Sequence, residues 1–330
     1  MSCVLVTGGA GYIGSHTVKV LLKRGYEAVV LDNLSTGHRQ AVLVDEAHFY
    51  QGDIADDELV TSIVEKHGVD SVIHFAAKSL VGESMKHPEM YLWDNTAKSV
   101  RFFTTLKECG VRNIIFSSTA AVYGLPEQIP IPEYLEKKPV NPYGESKLMV
   151  EKALQWMEQA HGIKWVALRY FNAAGAELTG VIGEDHNPET HLIPLVLQTA
   201  LGKREAIQVF GTDYDTPDGT CIRDYIHVLD LTDAHILALE ALKKGMSSGA
   251  LNVGTGNGYS VREVIEMAKE VTEREIPVVE TERRPGDPAV LVADSTLAQQ
   301  LLGWKPQFTL REMIASAWKW HSTHPEGYRR

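Results

Sequence analysis

Tyr143 and Lys147 stand four residues apart in the run Asn-Pro-Tyr-Gly-Glu-Ser-Lys at 141–147. If Pro142 opens a helix, the two side chains share one face, one turn apart. A free phenol titrates near pH ~10 and is a poor base at neutrality. A neighbouring ammonium favours the phenolate and lowers that value. Bringing the phenol near neutrality takes on the order of 4 kcal/mol of differential stabilisation. The pair therefore reads as a proton-transfer site, with Tyr143 as base and Lys147 to tune it. An ordinary amphipathic helix carries the same spacing, so the pair gains meaning only beside a second site.

That second site opens the chain. Val4-Leu5-Val6 is a short apolar run, and Thr7-Gly8-Gly9-Ala10-Gly11-Tyr12-Ile13-Gly14 follows at once. Ser15-His16 then leads into Val18, Val20, Leu21 and Leu22, which fit one helix face. Strand, glycine turn and helix come in the order a dinucleotide site requires. Gly8 and Gly9 allow the tight turn, Gly11 lets the backbone approach a pyrophosphate, and Gly14 lets the helix pack on the strand. The helix N-terminus offers amides and a positive dipole end to the phosphates. The next apolar run, Ala28–Leu31, ends in Asp32-Asn33. A carboxylate there suits a ribose diol and repels a 2′-phosphate, so NAD is expected over NADP.

The elements that must position these groups alternate through the first half. Expected strands are Val4–Val6, Ala28–Leu31, His48–Tyr50, Ser71–Phe75, Asn113–Phe116 and Lys164–Leu168. Expected helices fill Gly11–Arg24, Asp57–His67, Pro88–Cys109 and Pro142–His161. Near-continuous apolar strands with helices between them imply an α/β fold, a doubly wound parallel sheet covered on both faces. Functional residues then belong in loops after the strands, beginning at Thr7, Asp32, Gly52-Asp53, Ala76-Ala77, Ser117-Ser118-Thr119 and Arg169. After about Phe171 Gly, Pro and charge become frequent. Residues 1–171 read as the nucleotide-binding domain and 172–330 as a smaller α+β substrate-binding domain. Its helices are expected at Leu192–Leu201, Arg262–Val271 and Leu310–His321. Part of 220–250 is expected to return to the first domain.

Composition narrows the function classes. The 330 residues carry a formal net charge of −11, with 44% hydrophobic and 23% charged residues. No Lys/Arg block of the kind nucleic-acid binders carry is present, so an anionic substrate needs locally placed arginines. Cys3, Cys109 and Cys221 are few, odd in number and far apart, which suits a reducing, cytoplasmic compartment rather than a disulfide framework. None has metal-ligand spacing, and no metal is expected. The chain enters its first strand directly, and no signal peptide or membrane span is expected.

With both sites in view, the chain resembles the extended short-chain dehydrogenase/reductase family, and within it the nucleotide-sugar 4-epimerases. The likeness runs nearly end to end. It rests on residues 7–16, Leu-Asp-Asn-Leu-Ser (31–35), Val-Gly-Glu-Ser (81–84), Ala-Val-Tyr-Gly (121–124) and 141–147. Arg-Tyr-Phe-Asn-Ala-Ala-Gly-Ala (169–176), Asp-Gly-Thr-Cys-Ile-Arg-Asp-Tyr-Ile-His-Val (218–228) and Arg-Arg-Pro-Gly-Asp (283–287) complete it.

The resemblance implies an NAD-dependent 4-epimerase of a UDP-hexose, with UDP-galactose and UDP-glucose as the expected pair. Tyr143 would take the 4-hydroxyl proton while the C4 hydride passes to the nicotinamide. The 4-keto sugar would turn over and recover the hydride on its other face. Lys147 would hold the nicotinamide ribose and lower the Tyr143 pKa, and Thr119 would hydrogen-bond the 4-oxygen. Ser117 and Ser118 would cap backbone or border the cofactor. For NAD the resemblance carries over Gly8, Gly11, Tyr12, Ile13, Gly14, Asp32, Asn33 and Ser35. It adds Asp53, Ile54, Phe75, Ala76, Ala77, Asn95 and Tyr170 to Tyr143 and Lys147. Asp53 has a second reading, as N-cap of the helix at 57–67. For the UDP-sugar, Asn172, Leu192, Phe210, Arg223, Tyr225, Arg284 and Asp287 map onto family positions. Arg223 and Arg284 would clamp the phosphates, and Asp287 would accept from a ribose hydroxyl.

Departures from the family pattern fall at Lys78-Ser79, where Lys is frequent one residue later, and at His191, where Asn is frequent. Leu291 is intermediate in bulk at a position that influences acceptance of N-acetylated sugars. The alternatives are a 4-epimerase of another UDP-sugar (an N-acetylhexosamine, uronate or pentose), a nucleotide-sugar dehydratase, and a non-catalytic NAD sensor. Thr119 is followed by Ala120-Ala121, which cannot move the protons a dehydratase must move. A sensor has no need of the Tyr143/Lys147 pair. A homodimer is expected through the helices at 88–109 and 142–161. Leu92, Val100, Phe102, Phe103 and Leu106 spread around the first helix, and Leu148, Met149, Leu154, Trp156 and Met157 around the second.

Overall fold

The computed structural model describes residues 2–45, 48–284 and 286–328. Seven parallel strands form the central sheet. Their order is Gly249–Val253, Lys164–Tyr170, Asn113–Thr119, Ser71–His74, Cys3–Thr7, Glu27–Asp32 and Phe49–Gln51. Strand residues alternate between two cores. Val4, Val6, Val30, Ile73 and Ile115 feed one layer, and Leu5, Val29, Val72, Ile114 and Phe116 the other. Both faces are covered, which is why these strands are apolar throughout. Each such side chain contributes about 1.5–3 kcal/mol on burial.

The chain reverses its direction of travel across the sheet between Cys3–Thr7 and Ser71–His74. The crevice beyond those two strand ends is where an open α/β sheet binds its ligand. Helix Pro142–His161 is cut cleanly by local chemistry. Asn141 caps it by accepting from the Gly144 amide at 2.8 Å, Pro142 holds its first turn, and Gly162 ends it at φ 68°.

Several elements differ from the sequence expectation. The strands expected to end at Phe116 and Leu168 continue to Thr119 and Tyr170, because their ladder pairs Thr119 with Tyr170. Ser117, Ser118, Thr119 and Arg169 therefore lie on strand ends, not in loops. The helix expected over 88–109 is interrupted. A turn at Pro88–Tyr91 passes through a π-helical segment, Leu92–Ala97, into helix Lys98–Glu108. Strand Gly249–Val253 and helix Val228–Lys243, which packs on helix Tyr12–Lys23, were not anticipated as elements.

Beyond Phe171, strands Asn172–Ala174 and Val290–Leu291 run parallel to Ile222–His227, and Gly258–Ser260 runs antiparallel to it. A second small sheet pairs Ile207–Phe210 with Val278–Thr281. Helices Leu192–Ala200, Val261–Thr272 and Leu310–Thr323 pack into a core of their own. Among the described residues no helix is long and apolar enough to cross a membrane.

Candidate active site

The glycine turn is a cradle of bare backbone. Gly8 has φ +69°, and a Cβ on it would lie 2.6 Å from the Ala76 amide nitrogen. A Cβ on Gly14 would lie 2.2 Å from the Gly8 carbonyl oxygen and 2.8 Å from Gly9 Cα. Helix Tyr12–Lys23 starts at Gly11 with no side-chain cap, so its first-turn amides face the crevice uncovered by their own chain. Gly14→Ala puts a methyl group against immovable main chain. It should cost on the order of 1–3 kcal/mol or more and empty the nucleotide site. Nucleotide content after gel filtration measures this, and content equal to the parent's would refute it.

Asp32 is buried, and its carboxylate accepts from the Ala10 amide at 2.9 Å and the Leu34 amide at 2.8 Å. Burial pushes its pKa up and the two amides oppose the rise. Lone pairs remain to receive a diol. Asn33 turns its side chain back to the Ser35 amide at 3.0 Å. Asp53 is not the helix cap. Asp56 caps helix Asp57–His67, while Asp53 accepts from Lys98 Nζ at 2.7 Å and the Ala55 amide at 2.9 Å. Burial raises the Asp53 pKa, but Lys98 and the amide outweigh it and hold the carboxyl low. Ile54 follows it into the core beneath the strand ends. Phe75 packs tilted against His235 at 4.7 Å, and Ala76 and Ala77 follow it, partly buried, Ala76 against the glycine turn. The Tyr12 hydroxyl donates to the Gly175 carbonyl at 2.6 Å, which leaves the Tyr12 backbone rather than its phenol for the crevice.

Tyr143 reaches Thr119 because Gly144 has no side chain. A Cβ there would lie 2.6 Å from the Ala121 carbonyl oxygen, so glycine lets the helix start close on the turn Ala120–Tyr123. The Thr119 hydroxyl accepts from the Ala121 amide at 3.1 Å and lies beside the Tyr143 phenol, whose pKa it lowers. Tyr91 packs edge-on against Tyr143 at 6.4 Å.

The electrostatics correct the expectation for the pair. Burial raises the Tyr143 pKa, and the opposing influence is Thr119, not Lys147. Lys147 is buried with its ammonium donating to the Ser117 carbonyl at 2.8 Å, above the Phe116 ring. Burial lowers its own pKa to about 7. Without a further positive charge the phenol is not a base at neutral pH.

Further side chains of the site have partners within the protein. Asn95 gives both amide hydrogens to the protein, to the Lys78 carbonyl at 2.9 Å and Ser146 Oγ at 3.0 Å, and its oxygen takes the Lys78 amide at 2.8 Å. It clamps the Lys78–Ser79 loop to the start of helix Pro142–His161 and has no donor left for a ligand. Ser117 bonds the Tyr170 hydroxyl at 2.6 Å, so that phenol is partnered within the protein. Ser118 bonds Glu151 at 2.5 Å, so neither serine caps backbone.

The sequence did not disclose what lies beneath. Glu151 and Arg169 form a buried two-pronged pair at 3.0 and 2.5 Å, extended through Tyr123 to Asn252. It ties the helix carrying Tyr143 to the strands carrying Thr119 and Tyr170. His74 bridges Thr7 and Ser99 at 2.6 and 2.9 Å, under the glycine turn. Burial, assisted by the Lys147 charge, pushes its pKa down to about 3, so it is a neutral strut.

The expected substrate residues gather on the small sheets. Arg223 donates to Asp287 at 2.5 Å, and the Asp287 amide reaches the Arg284 carbonyl at 3.3 Å. The Arg284 guanidinium lies 3.9 Å over the Phe210 ring. Pro285, inside the same motif, lies outside the described residues. Asn172 pairs in register with Tyr225 and donates to the Asp224 carbonyl at 3.1 Å. Leu192 begins helix Leu192–Ala200, and Leu291 packs with Phe171 beside Tyr123 and Leu148. Arg223 is thus not a free cation: an incoming diphosphate must share it with Asp287.

Residues 4–254 match the NAD dependent epimerase/dehydratase family. The chain is 54% identical over 326 residues to the UDP-glucose 4-epimerase of Halalkalibacterium halodurans, covering 98% of this chain and 97% of that protein. A crystal structure of a UDP-glucose 4-epimerase superposes with TM-score 0.97 at 49% identity, covering 100% of both chains. The UDP-glucose 4-epimerase of Brucella ovis in complex with NAD superposes with TM-score 0.93 at 46% identity, covering 96% of this chain and 97% of that one.

Proposed function

This chain belongs to the NAD dependent epimerase/dehydratase family, and from that membership and its site we propose that it interconverts UDP-galactose and UDP-glucose at the sugar C4. NAD is its cofactor. The observation that carries the reading is the approach of Tyr143 to Thr119 at a strand end, within the same crevice as the bare glycine turn.

Bound NAD supplies a hydride acceptor that later serves as donor, so no net redox change results. The glycine turn and the first-turn amides of helix Tyr12–Lys23 hold its pyrophosphate, and Asp32 takes a ribose diol. Tyr143 removes the proton of the 4-hydroxyl and returns it to the opposite epimer. Thr119 holds the phenol and the 4-oxygen together. Lys147, buried against Ser117, holds a ribose hydroxyl. Arg223 and Arg284 take the diphosphate, with Asp287 shared between Arg223 and the uridine ribose. Asn172, Leu192, Phe210 and Tyr225 shape the remaining wall.

The test needs only purified protein without added NAD. Supplied with UDP-galactose, it should form UDP-glucose, which shows both the reaction and a retained cofactor. No conversion even after NAD is supplied would overturn the assignment and move it to UDP-N-acetylglucosamine or UDP-glucuronate.

The active form is a homodimer. Of the apolar residues on the two helices, Phe102, Phe103, Leu106 and Leu154 are covered within the chain. Trp93 and Trp156, 63% and 68% exposed, remain with Leu92 and Met149 on adjoining faces. Such a patch needs a partner. Light scattering at about micromolar concentration should give twice the chain mass, and a monomer would refute this. The three cysteines are free, as suits a cytoplasmic protein.

A further inference from the structure

The segment before helix Leu192–Ala200 collects two carboxylates and two imidazoles to which the proposed reaction gives no role. His191 Nδ1 lies 2.9 Å from both Glu184 Oε1 and Glu189 Oε1. His186 Nδ1 lies 3.1 Å from Glu184 Oε1 and 3.7 Å from Glu189 Oε2. One ligand atom from each residue lies within 4.8 Å of all the others. Both glutamate side chains are buried.

Ordinary pairing accounts for His191, whose Nδ1 hydrogen-bonds Glu189 Oε1 at 2.9 Å, but not for His186. His186 Nδ1 is buried, yet it makes no aligned hydrogen bond despite its near carboxylates. A tetrahedral ion with bonds of about 2.0–2.1 Å has ligand–ligand edges of about 3.3 Å. The four measured separations scatter around that edge. We propose that Glu184, His186, Glu189 and His191 bind one zinc ion in a closed, structural site. Two imidazoles and two carboxylates suit zinc in hardness and number, and they leave no position for substrate chemistry. Glu184, His186 and Glu189 line a cavity of about 210 Å³, which gives the ion a way in.

The ion would pin a segment that joins three parts of the fold. The Glu184 carbonyl accepts from Trp320 Nε1 at 3.2 Å, on helix Leu310–Thr323. The His186 ring stands edge-on to Tyr12 at 6.2 Å, beside the glycine turn. His191 is the N-cap residue of helix Leu192–Ala200, on the substrate side. Zinc here positions both the turn and Leu192 without touching either ligand.

The test reads metal, not turnover, so it is independent of the assigned reaction. The full chain is stripped with EDTA, incubated with zinc sulfate, gel-filtered and analysed by atomic emission. About one zinc per chain is expected, with a rise in melting temperature over the stripped form. The double variant His186→Ala, His191→Ala should hold less than about a tenth of that, while His87→Ala, on an exposed histidine outside the cluster, keeps it. If the double variant fails to fold, cobalt in the unaltered chain decides. Intense visible bands of tetrahedral Co2+ support the site, and weak octahedral bands refute it. Zinc below about a tenth of an equivalent in the unaltered chain, or zinc that survives the double substitution, overturns the proposal.

Discussion

Tyr143→Phe is expected to abolish turnover while NAD stays bound. The change removes one oxygen and leaves the ring, which packs on Tyr91 and closes the crevice beside Thr119. Among the described residues around the phenol, the two other polar groups are not placed to take the proton. Thr119 is an un-ionised hydroxyl already committed to the Ala121 amide, and Lys147 is turned to the Ser117 carbonyl. General acid–base groups contribute about 10²–10⁴ in rate, or roughly 3–5.5 kcal/mol of barrier. UDP-galactose turnover should fall by at least the lower figure, with NAD content of the purified protein unchanged. Turnover within about tenfold of the parent would rule out Tyr143 as the base.

Lys147→Met separates the two tasks of a buried ammonium. Activity should fall about 100-fold or more, with weaker NAD retention, because the nicotinamide side loses its cation. Stability should move the other way. The ammonium is fully buried with one carbonyl partner, and burial brings its pKa from an ordinary 10.5 to about 7. Below pH about 7 both folded and unfolded chains carry the proton, so the whole penalty of burying the charge opposes folding. Between about 7 and 10.5 the folded chain releases the proton first, and the penalty shrinks. This group therefore makes the cofactor-free protein more stable as pH rises through that window. Methionine keeps the apolar stem and removes the charge. Its variant should be more stable at pH 7 by on the order of a few kcal/mol, melt at a higher temperature and show a flatter pH dependence. A lower melting temperature at neutral pH would show that the ammonium is satisfied in the cofactor-free fold.

The correction at Tyr143 bears on both results. Spacing placed the phenol and the ammonium on one helix face, and that much holds in helix Pro142–His161. Distance along a helix does not say where a long side chain points. In the structure Lys147 dives to the Ser117 carbonyl, and the phenol is left with burial against it and Thr119 for it. A poised base then requires the positive charge of the cofactor ring. Proton transfer is thereby tied to cofactor binding.

What the sequence determined by itself is local or periodic. Glycines at 8, 11 and 14 between an apolar run and a helix face, the acid at 32, and the Asn-Pro start of the 142–161 helix are decided within one turn or one strand. Burial on both faces showed in the unbroken apolar runs from Val4 to Phe116, and the parallel sheet followed from them. Tertiary structure decided whatever depends on residues distant in the chain. Strand Gly249–Val253 joins the sheet only because Lys164–Tyr170 presents an open edge to it. Ser118, Glu151, Arg169 and Tyr123 become one network only after a helix and two strands pack together. Arg223 meets Asp287 across 64 residues, and Asn95 meets Lys78 through a π-helical segment that no propensity foretells. The strength of a charge or a hydrogen bond depends on its distance and its exclusion from water, and both are properties of the packed chain.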